Sequence, residues 1–151
     1  MTSDGISKRD WDRVTEVAIR IVNVSSLRND ELVLPYTRQM LCLLDRLQRK
    51  YGELPSLLAT RADYTEDESE RLRLLKRAYR LAKTRHDKVN CVLIASSIAE
   101  IYIEDLRNVE KGKSWLDSLE SCLSEYRDES EMREFRRLKK KFTMLSSNAA
   151  T

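Results

Sequence analysis

The chain has 151 residues, 28 of them Lys or Arg and 25 Asp or Glu, for a net charge of +3 with 35% charged and 41% hydrophobic residues. That length can bury a continuous core, and so even a balance of charge excludes the one-sided excess that marks a nucleic-acid-binding face. Three glycines and two prolines are too few for the tight turns of a strand-rich fold, so the expectation is an all-α protein: one helical domain over residues 1–151, with 1–6 and 147–151 frayed.

Ser7–Asp10 offers short oxygen-bearing side chains that can cap a first helix. Trp11, Val14, Ala18, Ile21, Val22 and Ser25 then recur at helical spacing, predicting one buried stripe. Asn29–Asp30 interrupts the pattern. A second helix is expected to hold Pro35 in its first turn or two, with the regular helix from there, Met40, Leu41, Leu44 and Leu47 inward and a stop at Gly52. Pro55 opens a short third helix to Ala62, in the first position, where a missing N–H costs nothing. Thr65–Glu68 reads as a capping box for a fourth helix that carries Leu72, Leu75, Ala78, Tyr79 and Ala82 and ends at His86–Asp87. A fifth helix spans Val89 to Leu106 and a sixth Val109 to Tyr126. Asp128–Glu131 starts a seventh, with Met132, Phe135, Leu138, Phe142 and Leu145 on one side, and this one reads as a C-terminal capping helix. Short connections between about seven helices imply stacked antiparallel hairpins.

A repeat underlies part of this order. The segments LLKRAYRLAKTRHD and WLDSLESCLSEYRD are both back helices of a hairpin ending in a polar turn, about 40 residues apart. Between them, Ile98, Ala99 and Tyr102 give a large, a small and an aromatic residue at helical spacing. In the return helix Gly112, Trp115 and Ser118 give small, aromatic and small. A short turn at Asn108 leaves Leu116 and Leu119 as alternatives for the last two places. On these residues the stretch resembles a tetratricopeptide repeat of the longer variety. Leu58, Ala59, Leu75 and Ala78 match a degenerate upstream unit, in which Ala62 stands where the aromatic belongs, so the resemblance covers about residues 54–127. Independently of any family, Ala78, Ala82, Ala95 and Ala99 allow helices to approach closely.

The resemblance implies a concave surface lined by front helices as the binding face. On it would lie Ser96, Glu100, Ile103 and Glu104 from one unit and Ser56, Thr60 and Asp63 from the other. The Lys/Asn/Arg clamp of adaptors that hold acidic chaperone tails is replaced here by Ser96 with Glu100 and Ser56 with Thr60, which argues against that role. A groove of acids and hydroxyls suits a basic partner.

Chemistry finds little purchase. His86 is the only histidine and sits at a helix end beside Asp87, where a structural cap is the expected role. The glycines Gly5, Gly52 and Gly112 are isolated, so no phosphate loop is present. Cysteine and histidine spacing forms no zinc site, and neither cofactor nor metal is expected. Cys42, Cys91 and Cys122 lie in apolar helical contexts without CxxC spacing and read as buried free thiols of a reducing cytoplasm. Met1–Ser7 has no apolar signal core and no run reaches the roughly 18 apolar residues of a membrane span. The basic run Arg136–Lys141 is interleaved with apolar positions and reads as the charged outer face of the last helix, rather than as a membrane or nucleic-acid site.

The expected function is therefore non-enzymatic protein binding. Size, solitude and the stretch YGELPSLLATRADY also make the chain similar, more loosely, to bacterial immunity proteins. That likeness implies one-to-one neutralisation of a cognate toxin domain, a basic one given the acidic groove. The alternative is a tetratricopeptide-like adaptor or peptide-sensing regulator. An enzyme is expected only if His86 or the Glu100/Glu104 pair occupies a deep pocket.

Overall fold

Local hydrogen bonding explains where most helices begin. In the computed structural model, which describes residues 1–150, seven α-helices follow one another: α1 (Lys8–Ser25), α2 (Asp30–Tyr51), α3 (Pro55–Asp63), α4 (Glu68–Thr84), α5 (Lys88–Glu100), α6 (Val109–Glu125) and α7 (Glu129–Ala149). No strand occurs among the described residues. Ser7, Asn29, Asp87, Asn108 and Asp128 each accept a backbone N–H of the first turn that follows them, which satisfies donors the helix itself leaves orphaned. Gly52, at φ 79°, ends α2 in a conformation that a side chain resists.

α2 starts at Asp30 and carries Pro35 in its second turn, within the expected range. Asn29 supplies the cap there, and Pro35 falls early enough to leave the helix intact behind it. α4 is capped by Asp67, whose carboxylate accepts the Glu70 N–H at 2.7 Å, rather than by Thr65. Cys42 is exposed, while Cys91 and Cys122 are buried; all three are free. In residues 1–6, Thr2 and Asp4 build a turn: the Ile6 N–H donates to Thr2 Oγ1 at 2.8 Å and Ile6 is fully buried. Asp4 then accepts the Ser56 N–H at 2.8 Å and so caps α3, whose own N-cap, Leu54, has no side chain to do it. At the other end, residues 147–149 continue α7.

The chain divides into two compact units, Met1–Leu74 and Leu75 onward, with α4 running through the division. In the first unit α1 and α2 form a hairpin against which α3 packs. Its core holds Ile6, Val14, Val17, Ile21, Met40, Leu43, Leu44, Leu47, Leu54 and Leu57. Val17 and Leu43 replace Val22 and Leu41 in the expected stripes; Val22 is 67% exposed.

Asp10 ties the two helices of this hairpin together. It is buried, and its carboxylate accepts from Lys50 Nζ at 2.6 Å and from the Tyr51 hydroxyl at 2.7 Å. These bonds, Lys50 first, hold its pKa down to about 2, against the usual 3.8. As pH falls, the unfolded chain therefore takes up this proton before the folded one does. The stabilisation is complete above about pH 5 and is lost between about pH 4 and 2. Urea midpoints of the wild type and Asp10→Asn should thus lie apart near neutral pH and draw together as pH falls through 4 toward about 2. A gap independent of pH would refute the assignment.

In the second unit α5 packs most extensively on α6, and α7 lies across both. α5 does not stop at Glu100. Residues Ile101–Asp105 continue as a π-turn, in which the Leu106 N–H donates to Ile101 O at 2.9 Å. Ile101, Tyr102 and Ile103 in this turn are all buried, as are Asn90–Val92 and Ile94–Ser96 earlier in α5, so the helix is covered on most of its circumference. The register left open at Asn108 is settled as well. Asn108 caps α6 by accepting the Lys111 N–H at 2.9 Å, and Leu116 and Leu119 are buried, whereas Trp115 and Ser118 are only partly so. Trp115 meets Tyr79 edge-on, with ring centroids 5.0 Å apart.

Candidate functional site

The two charged features singled out in the sequence meet each other. The Arg137 guanidinium on α7 donates to Glu100 at 3.3 Å, to Glu104 and to Glu134, and Lys141 Nζ lies 2.9 Å from Glu104. Burial works to raise the Glu104 pKa, but hydrogen bonds from Lys141 and Arg137 outweigh it and the net shift is downward. Glu100 moves the other way: burial and then the neighbouring Glu104 and Glu134 raise it. Arg137 is held as the cation, first by its bond to Glu134. Arg137 and Lys141 of the basic run thus form one ion-pair network with the acidic pair, while Arg136, Lys139 and Lys140 are exposed.

α7 follows its charges onto this face with apolar side chains. Leu138 is fully buried among Ala99, Ile103 and Leu116, with Phe135 and Phe142 beside it. Ile103 is 3% exposed and Ser96 is 6% exposed. Four residues expected on an open binding face are therefore placed together, but beneath or against α7. Of the other three, Ser56 is buried beside Asp4, Thr60 is partly buried and Asp63 is exposed.

Exposed apolar surface appears elsewhere. Ile19 and Val22 on α1, Leu27 in the turn, and Leu32 and Leu34 at the start of α2 are 46–67% exposed. Five large apolar side chains within sixteen consecutive residues, all at one end of the α1–α2 hairpin, are unlike scattered surface hydrophobes. Val22 continues the flank of α1 that carries half-buried Trp11 and Ala18. Arg20, Arg28, Asp30, Glu31 and Arg38 surround the tip with both signs of charge. Sequence reading placed Val22 in the core because periodicity does not say how wide the covered stripe is. The signal available was the run of apolar residues on both sides of a polar turn, Asn29–Asp30.

The catalytic candidates stay apart. Glu100 and Glu104 are engaged by α7, and His86 is exposed at φ 55° in the turn between α4 and α5. There its N–H donates to Lys83 O at 3.2 Å, while Asp87 caps α5. No group of three or more His, Cys, Asp or Glu among the described residues could hold a metal ion. No helix among them is long and apolar enough to cross a membrane.

No family model, curated protein or solved structure matches the chain. Fold and surfaces together define an all-α protein of helical hairpins, with an internally neutralised acidic face and an uncovered apolar hairpin tip.

Proposed function

We propose that this chain is a non-enzymatic protein-binding module whose contact surface centres on the tip of the α1–α2 hairpin. The observation that carries the reading is the exposure of Ile19, Val22, Leu27, Leu32 and Leu34, five large apolar residues within sixteen positions around the α1–α2 turn. Burying such a patch against a partner recovers the hydrophobic free energy that solvent exposure forgoes, about 25 cal/mol per Å². Mixed charges around it can steer and orient that partner. The paired state of Glu100 and Glu104 removes the reason for expecting the partner to be basic.

The most specific form of this proposal is an immunity-type inhibitor that occludes a cognate toxin domain from a hairpin tip. It rests on the looser resemblance of size and architecture, and the tetratricopeptide likeness of residues 54–127 stands with it as a proposal about ancestry. The test is affinity capture from the native source with the wild type, Leu27→Asp and Glu100→Gln. A partner held by the wild type and by Glu100→Gln, and weakened about a hundredfold by Leu27→Asp, is the expected result. Equal retention by Leu27→Asp would move the interface elsewhere. An inhibitor further requires nanomolar affinity; a micromolar complex would leave binding but exclude inhibition.

A further inference from the structure

A cavity of about 250 Å³ opens in the second unit, where the end of α4, the start of α5 and the end of α6 converge. Its lining has two parts. Cys91 and Cys122, 5% and 3% exposed, supply weakly polar walls at depth. Lys83, His86, Lys88 and Glu125 are exposed and stand around the opening.

The rim carries Lys83, Lys88 and the imidazole of His86 against one carboxylate. Lys83 Nζ and Glu125 Oε1 are 4.0 Å apart, the outer limit of an ion pair and too far for a hydrogen bond. Neither the Lys88 ammonium nor the His86 imidazole has a side-chain partner among the described residues. His86 also holds the left-handed conformation usually given to glycine, which turns the chain sharply between α4 and α5 and leaves its ring at the opening. The interior is the opposite of charged. Burial, and then the neighbouring Cys122, push the Cys91 thiol up to about 11, so it stays protonated and is a poor nucleophile. The Tyr79 hydroxyl lies 3.5 Å from Cys122 Sγ.

We propose that this cavity binds a small molecule that joins an anionic group to a compact apolar body. The anion sits at the rim between Lys83 and Lys88, and the apolar body rests on the two thiols. The volume suits a body of about ten non-hydrogen atoms, since cavities somewhat smaller hold a benzene ring. Two unpaired or loosely paired ammonium groups can each form a charge-assisted hydrogen bond with a carboxylate or phosphate oxygen. This site shares no residue with the hairpin tip, so the two readings stand or fall separately.

The experiment titrates the full-length chain with benzoate, with phenyl phosphate and with neutral benzyl alcohol, following backbone amides by NMR. The expected result is saturable shifts below about 10 mM, confined to the amides near residues 83–91 and 119–125, from at least one of the two anions. Lys88→Ala should weaken that binding about tenfold while Lys88→Arg retains it, and Glu125→Gln should tighten it about threefold by removing the opposing charge. Saturation by phenyl phosphate alone assigns the head group as phosphate, and by benzoate alone as carboxylate; either upholds the site. No saturation with either anion, equal binding of benzyl alcohol, or indifference to Lys88→Ala overturns it.

Discussion

Replacing Leu138 by Ala is expected to destabilise the second unit by about 3 kcal/mol. Leu138 is the one fully buried side chain of α7, set among Ala99, Ile103 and Leu116. Truncation leaves a void in a layer whose other α7 residues, Phe135 and Phe142, are only partly covered and cannot close over it without moving the helix. The neighbouring substitution Arg137→Ala removes bonds to three carboxylates, yet should cost only about 1 kcal/mol, because the guanidinium is 38% exposed and water screens its charges. Raising salt should shrink the Arg137 effect and leave the Leu138 effect unchanged. Urea unfolding of both variants, in low and high salt, measures the contrast. If Arg137→Ala proves the costlier, charge and not packing holds α7 in place.

Gly112→Val should cost about 2 kcal/mol, whereas Gly112→Ala should be close to neutral. Gly112 lies on the buried face of α6 where the π-turn crosses it. A Cβ placed there meets Ile103 Cγ1 at 3.0 Å and Phe142 Cδ2 at 3.7 Å. Alanine recovers about 1 kcal/mol of helix propensity, which offsets the small displacement it demands of Ile103. Valine adds two methyl groups to the same contact and is β-branched, so it can neither shrink nor turn away. Thermal and urea unfolding of both variants decide the matter. A valine tolerated within about 0.5 kcal/mol would show that α6 and the π-turn do not approach as closely as the geometry requires.

Both predictions concern contacts that connect distant parts of the chain, and this is where sequence reading and structure part company. The all-α class and several helix starts were legible, because capping is a transaction between near neighbours: Ser7 and Asp128 each accept an N–H three residues on. The small residues Ala78, Ala82, Ala95 and Ala99 were read as sites of close approach, and all four are fully buried. Where two local signals competed, the reading erred. Thr65 and Asp67 both offer a cap, and only Asp67 makes one.

The candidate site was far less legible. Glu100 and Glu104 look like an open acidic face on their own helix, and the basic run on α7 looks like a solvated edge on its own. That they neutralise each other depends on α7 folding back across α5, between residues separated by more than thirty positions. The exposed tip at Ile19–Leu34 is hidden for the converse reason, since nothing local says that no helix covers it. Local sequence was enough to establish that this chain is helical and where several of its helices begin, because periodicity and most caps act within a few residues. The folded arrangement settled which acids Arg137 and Lys141 engage and which apolar residues stay exposed around the α1–α2 turn. Those outcomes depend on which surfaces meet, and no stretch of local sequence holds both members of a contact.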